Sequence, residues 1–369
     1  MVVPTVTTFV TRINLKSEFI IKKFRLGICC LMTNTTKQSR IRWIDLIRAL
    51  GAFLVVLAHV QYSGQAGAWA GISYYALTRT AVPLFFMISG YLLLSKNETY
   101  ADFFYKRALK VFLPLFIWSM IYLIWQEEGF GSPLYAIVKS YLIKFIRGPR
   151  ENHLWFFYEL FGLYLFTPIL RIYVTRAAQR DLLYFCLIWF AFIPLANLLR
   201  EFTPIQIGFS YQFLGGYIGY YIFGYLAGQM EFTKKQKTAA LAVFLISLLT
   251  TIIGMHIRGV YGLKTQYFED YQSVNVALMS AASFICLTRT EIRDSLFRVI
   301  SPLSSASFGI YLAHVIVMAE LFSVFPFSLM TTSGFGVYMI PLIGLVGFIF
   351  TFMIIFILQK IPILKFSVP

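Results

Sequence analysis

RWIDLIRALGAFLVVLAHV, residues Arg42–Val60, is an apolar stretch with Asp45, Arg48 and His59 embedded in it. Ionisable groups inside a membrane segment cost several kcal/mol unless paired or hydrated, so by default they mark a functional site. Arg48 and His59 are eleven residues apart. At about 100° per residue they fall within roughly 20° of one helix face and about 16 Å apart along its axis. One side of the helix therefore sets a cation near a membrane edge and an imidazole about half a bilayer deeper. Such a column suits a reagent held at one side and chemistry carried out deeper in.

The 369-residue chain around this stretch is 59% hydrophobic and 18% aromatic, with only 13% charged residues, and its mean hydropathy is +0.72. So few charges cannot cover the surface of a soluble domain, and apolar runs of about twenty residues recur along the chain. The expected fold is all-α, a polytopic integral membrane protein with about ten transmembrane helices around a polar central cavity. The net charge of +16 is dispersed among short loops, a topology signal and no reason to expect nucleic acid. Cys29, Cys30, Cys186 and Cys286 lack metal-ligand spacing, so neither a metal site nor a disulfide framework is expected.

The expected spans are Ile44–Val60, Ala81–Leu94, Val111–Trp125, Leu154–Ile172, Leu182–Leu199, Tyr211–Gly228, Thr238–Ile257, Val274–Leu287, Ser307–Phe325 and Val337–Leu358. Every second loop is basic, which places both termini in the cytoplasm. Ser132–Asn152 breaks the alternation with Lys139, Lys144, Arg147 and Arg150. Its apolar residues recur at helical spacing, so it reads as an amphipathic helix on the outer surface. Residues 1–40 form a basic N-terminal extension, either a misread start upstream of Met32 or a cytoplasmic arm on anionic lipid. Residues 41–362 form the membrane domain and 363–369 a cytoplasmic tail.

Five blocks follow one another in order: Arg48-x10-His59, Arg79 leading into VPLFFMISGYLL (Val82–Leu93), KRALKVFLP (Lys106–Pro114), HLWFFYELFGLYLFTPIL (His153–Leu170) and SFGIYLAH (Ser307–His314). Together they resemble the membrane-bound acyltransferase 3 family over about residues 40–360. The resemblance is greatest to its surface-polysaccharide O-acyltransferase branch, which includes the O-acetyltransferase of enterobacterial common antigen. It implies transfer of an acyl group, usually acetyl from cytoplasmic acetyl-CoA, to a glycan hydroxyl at the bacterial inner membrane. By that resemblance His59 is the catalytic histidine and Arg48 its companion. Arg79 is linked to acyl-CoA handling, and Arg107 and Lys110 match a cytoplasmic R-x2-R element. Lysine in the second place keeps the charge and loses bidentate geometry.

The residues support the same chemistry on their own terms. Cations near span ends can hold the anionic nucleotide of acyl-CoA at the aqueous edge while its thin arm enters. Acetyl-CoA is thus a substrate, and no permanently bound cofactor is expected. A neutral imidazole can take the proton from an attacking sugar hydroxyl; an acyl-histidine intermediate is the rival course. Asp45, one turn before Arg48, can orient its guanidinium and completes the catalytic set. Acceptor binding is assigned to His153, Trp155, Glu159 and His314. Trp155 and Glu159 share a face at i, i+4 and suit a sugar ring, although His153 also fits an interfacial anchor. Glycines 215, 216, 219, 224 and 228 read as helix packing. The expected partners are acyl-CoA, a glycan or lipid-linked glycan, and the bilayer. Two alternatives stand beside this reading: a transporter of lipid-linked glycan, against which the lack of an internal repeat speaks, and the same enzyme using succinyl or a longer acyl group.

Overall fold

Lipid offers no hydrogen bonds, so a spanning chain must satisfy its own backbone, and helices do so within one segment. The computed structural model describes residues 40–60, 65–126, 134–149, 151–208, 214–325 and 336–369. Of these described residues 82% are helical and none lies in a strand. The chain divides into two units, Met1–Ile41 and Arg42–Pro369. Apart from Arg40 and Ile41, the N-terminal extension with Cys29 and Cys30 lies outside the described residues. So do Ser132, Arg150 and the start of the sixth expected span, residues 211–213.

The second unit contains α1 (Arg42–Leu57), α2 (Gln65–Thr78), α3 (Ala81–Leu94), α4 (Tyr100–Arg107), α5 (Leu113–Gln126), α6 (Leu134–Arg147), α7 (Trp155–Arg176), α8 (Gln179–Phe190), α9 (Ala196–Phe202), α10 (Ile218–Gln229), α11 (Lys234–Tyr261), α12 (Val274–Leu287), α13 (Asp294–Val324) and α14 (Gly336–Lys360). Among the described residues seven helical segments are long and apolar enough to cross a membrane. One of them, Trp69–Leu94, joins α2 to α3 through Arg79 and Thr80. α2 was not expected, because its small and polar residues (QAGAWAGISYYALT) hide it from a search for apolar runs. The first, sixth and eighth expected spans are the short helices α1, α10 and α12, of 16, 12 and 14 residues. They sit among neighbours: α1 against α3, α13 and α14, α10 between α3 and α8, and α12 against α11. A helix enclosed by protein need not match the thickness of the bilayer.

Prolines set two local departures. Pro114 follows a π turn at Ala108–Phe112 and Pro194 lies within another at Ala191–Leu195. Each lacks an N–H and presses on the carbonyl four residues back, and the wider turn relieves that clash. The expected amphipathic helix is α6. Its Tyr141 hydroxyl donates to the Phe116 carbonyl at 2.6 Å, which ties it to α5.

The bundle has two chemically distinct ends. At one end Trp43 of α1 meets Tyr91 of α3 and Phe284 of α12. There Arg42 bonds the Ile292 carbonyl at 2.9 Å and Lys237 the Thr288 carbonyl at 2.7 Å. Residues 361–369 fold back beside this basic end, with Trp118 Nε1 donating to the Ser367 carbonyl at 3.0 Å and Val368 wholly buried. The other end holds His59, Arg79, His153 and Tyr271.

α3 and α10 form the close-packed spine between the ends. A Cβ at Gly90 would fall on the Tyr221 carbonyl, one at Gly224 on the Met87 backbone, and one at Gly228 on the Tyr91 ring. These are backbone approaches that only small residues allow. Gly90→Val is expected to force the two helices apart at a cost above the roughly 1–3 kcal/mol of ordinary overpacking. A thermal-unfolding assay by size exclusion in detergent should show loss of the monodisperse peak, whereas the exposed Gly162→Val should leave it intact.

Candidate active site

Three histidines far apart in the chain meet at the end opposite the basic one. α1 closes with a tightened turn, His59 N bonding the Val56 carbonyl at 3.0 Å, which carries His59 just past the helix. His153 lies in a 3-10 turn (Asn152–Leu154) that opens α7, and His314 lies within α13. The His59 and His314 ring centroids are 4.6 Å apart, those of His153 and His314 4.9 Å, and those of His59 and His153 6.2 Å. His153 is 6% exposed and His314 0%, whereas His59 keeps an exposed face. The exposed ring is the one that can meet a reagent.

Backbone carbonyls decide which nitrogens carry protons. His314 Nδ1 lies 2.8 Å from the Tyr311 carbonyl, so in the neutral ring that nitrogen donates and Nε2 is left as an acceptor. His59 Nδ1 lies 2.9 Å from the Val55 carbonyl and 3.3 Å from His314 Nε2. Its proton is shared between them, which leaves His59 Nε2 with a lone pair. The Tyr122 hydroxyl donates to the Leu312 carbonyl at 2.8 Å and lies 3.5 Å from His153 Nε2. The Tyr311 hydroxyl holds the His153 carbonyl at 2.8 Å. His153 Nδ1 is buried with no hydrogen-bond partner, the mark of a group waiting for a donor.

Beside the histidines lies a half-buried cluster of aromatic rings. Trp155 stands 5.3 Å from the Tyr217 ring and 5.5 Å from Tyr271. The Arg79 guanidinium covers the Tyr271 ring at 3.9 Å, donates to the Glu269 carbonyl at 2.7 Å and reaches the Tyr75 hydroxyl at 3.2 Å. Glu159 borders these rings at Gly216, whose φ of +67° brings the turn close to that carboxylate. The loop carrying Tyr271 is pinned: Asn275 Nδ2 donates to the Phe268 carbonyl at 2.8 Å, and the Tyr220 hydroxyl donates to the Tyr271 carbonyl at 2.5 Å.

The basic end is a separate cluster. Arg107 lies over Phe103 at 5.3 Å and Tyr164 at 5.8 Å, its Nε buried without a hydrogen-bond partner, and Arg48 lies within electrostatic reach of Tyr164. Burial, and then the charge of Arg107 with those of Lys106 and Lys110, push the Lys96 ammonium below its usual range despite the opposing pull of Glu98. Burial alone would raise the Glu98 carboxyl, but hydrogen bonds from Lys106 and Arg171, both 2.8 Å, outweigh it and hold the group at about 2. Arg171 also donates to the Leu93 carbonyl at 2.9 Å, so one carboxylate ties the α3–α4 turn to α7.

The structure thus brings His59, His153 and His314 together, with Trp155, Glu159 and Arg79 beside them. Arg107 and Lys110 gather instead with Arg48 at the far end of α3, a helix of 14 residues and so about 20 Å long. Arg79 therefore does not share a site with the other two residues assigned to acyl-CoA. Asp45 does not join the histidines either. It is 5% exposed and its Oδ1 accepts from the Ser304 hydroxyl of α13 at 2.5 Å. Sequence reasoning passed over Tyr122, Tyr217, Tyr271 and Tyr311. Only Tyr311 carried a signal, three residues before His314 in the SFGIYLAH block. Among the described residues no set of three or more His, Cys, Asp or Glu side chains is arranged to hold a metal ion.

A family model described as an acyltransferase domain, acyltransferase 3, matches residues 41–360. The chain belongs to the acyltransferase 3 family. No curated protein and no solved structure matches it. It is therefore a multi-pass membrane acyltransferase, and the five blocks that suggested the family all fall within the matched residues.

The Glu98 bridge gives this acyltransferase an acid-side signature. A carboxyl that titrates near 4.5 when unfolded and near 2 when folded contributes its full stabilisation above about pH 5 and loses it as pH falls from there towards 2. Glu98→Gln is expected to lower the unfolding temperature at pH 6 and to flatten its fall between pH 5 and 3. Thermal scans of both proteins across that range check this, and an unchanged slope would remove Glu98 from acid stability.

Proposed function

We propose that this acyltransferase moves an acetyl group from cytoplasmic acetyl-CoA to a hydroxyl of a bacterial surface polysaccharide or its lipid-linked precursor at the inner membrane. The observation that carries the reading is the bond from His59 Nδ1 to His314 Nε2 at 3.3 Å. It leaves the exposed histidine with an unprotonated Nε2, as a general base requires.

On this reading the anionic nucleotide of the donor rests on the basic end, beside Arg48, Arg107 and Lys110. The thioester arm runs along the face of α1 towards His59. The acceptor sugar lies on the Trp155, Tyr217 and Tyr271 rings, whose apolar faces suit the C–H face of a pyranose while Arg79 and Glu159 bind its polar rim. His153 Nδ1 accepts a hydrogen bond from the sugar. His59 Nε2 takes the proton of the attacking hydroxyl as its oxygen bonds to the thioester carbonyl carbon. The tetrahedral intermediate collapses with cleavage of the C–S bond, and the imidazolium returns its proton to the departing CoA thiolate. His314 touches no substrate and acts by positioning His59.

The test is mass spectrometry of surface glycans from cells with and without the chain. A mass difference of one acetyl unit is expected, and identical spectra would refute acylation of surface glycan. His59→Ala should abolish the difference while the protein still inserts. His314→Ala should lower kcat by about 10²-fold or more, within the range of a lost acid–base contribution, and shift the pH profile with little change in either KM. A fall in membrane insertion alone would make His314 structural.

The ring cluster makes a separate claim. Trp155→Ala and Tyr271→Ala should each raise the acceptor KM by roughly two- to tenfold, in line with the loss of an aromatic contact worth about 0.5–1.5 kcal/mol. The acetyl-CoA KM should hold. A rise confined to the acetyl-CoA KM would place the sugar elsewhere.

A further inference from the structure

Donor and acceptor ends are joined by two antiparallel faces. α1 carries Arg48 and leads into His59 eleven residues on, and α7 carries Tyr164 eleven residues after His153 in the 3-10 turn that opens it, so the two run in opposite senses. Between the two levels one ring intervenes. Phe85 of α3 lies against Gly51 of α1, where an added Cβ would sit 3.0 Å from the end of its ring. Its centroid is 6.1 Å from Phe156 and 6.2 Å from Tyr311. Those two rings stand one turn from His153 and His314. Both are closely held: Tyr311 through its hydroxyl on the His153 carbonyl, and Phe156 between Phe86 at 4.7 Å and Phe157 at 5.3 Å. Phe86 is wholly buried, Phe156 is 5% exposed and Tyr311 4%, whereas Phe85 keeps accessible surface. Phe85 thus keeps accessible surface where Phe86, Phe156 and Tyr311 beside it do not, and its neighbour on α1, Gly51, has no side chain.

We infer that Phe85 is the specificity-determining residue for the acyl group: the tip of the thioester arm must pass this ring to reach His59, and only a slim, unbranched acyl group such as acetyl does so. The inference rests on the function proposed above. The acyl group leads the arm, so its cross-section meets Phe85 before any other part of the donor. The missing side chain at Gly51 lets the ring lie close against α1, so a side chain there would press it outward. One or two extra methyl groups at a packed apolar site change selection by roughly 10–200-fold.

Inverted membrane vesicles from cells carrying the full chain, supplied with equal acetyl-CoA and isobutyryl-CoA or, in a second run, equal acetyl-CoA and propionyl-CoA, read the selection as the ratio of the two acyl groups on the recovered glycan. A ratio within one sample does not depend on how much of a variant folds. Phe85→Ala is expected to raise the isobutyryl share at least tenfold. Gly51→Ala, which presses the ring into the passage, should cut the propionyl-to-acetyl ratio several-fold, and adding Phe85→Ala to it should reverse that fall. Unchanged ratios in vesicles that acetylate normally overturn the role of Phe85 alone. Wild-type vesicles that place no acyl group on any glycan overturn the proposed function, and this inference with it.

Discussion

Everything at the site depends on two helices delivering two imidazoles to a hydrogen bond. The protons that define it are fixed by backbone, since His59 bonds a carbonyl four residues back in α1 and His314 one three residues back in α13. Each ring is therefore oriented by its own helix, and the contact between the rings is set by how α1 and α13 pack. α14 fixes that packing. Gly344 admits Leu57, two residues before His59, and Gly347 admits Met318, four residues after His314. A side chain at either glycine would push on one member of the pair, so the chemistry rests on helix contacts that involve no catalytic atom.

The separation of charge along the bundle follows the same economy. Arg107, Lys106, Lys110 and Lys96 gather with Glu98 at one end, while the other carries the imidazoles, tyrosines, Glu159, the ring-stacked Arg79 and the Arg258–Glu269 pair. Arg79 illustrates why sign alone does not assign a role. It resembles Arg48 and Arg107 in type, yet it stands just before α3 at the histidine end, and Tyr271 covers its face at 3.9 Å. A guanidinium stacked on a ring with its Nε on a carbonyl is already oriented, which suits a rigid wall better than a mobile clamp on a nucleotide.

Much of this fold was legible in the sequence. Apolar run length placed α3 and α12 to the residue and α14 to within two residues, because hydropathy is what selects a spanning helix. α13, however, begins at Asp294, well before the expected Ser307, since its polar first turns carry no apolar signal. α2 was missed since its glycine, alanine and serine lower the local signal while packing against α11 and α14 supplies the burial. His59 was legible because it shares a helix with Arg48, and local spacing reveals local geometry. The gathering of positions 59, 153 and 314 was not, since nothing in a spacing of a hundred residues encodes a contact. Tyr271 was the least legible, as it sits on a loop held in place by Asn275 and Tyr220.

The choice of a second imidazole to orient the first has a physical reason. A carboxylate in the position of His314, which is 0% exposed, would carry a buried charge whose desolvation costs several kcal/mol unless a cation repaid it. No cation stands there among the described partners of His314. A neutral imidazole orients with a hydrogen bond worth only about 0.5–1.5 kcal/mol, but both of its nitrogens are satisfied and it needs no counter-ion. The weaker grip is offset by the Val55 carbonyl, the other partner of His59 Nδ1. On the proposed reading the site accepts modest orientation from each neighbour in return for needing no counter-ion, which suits a base that must remain free to react.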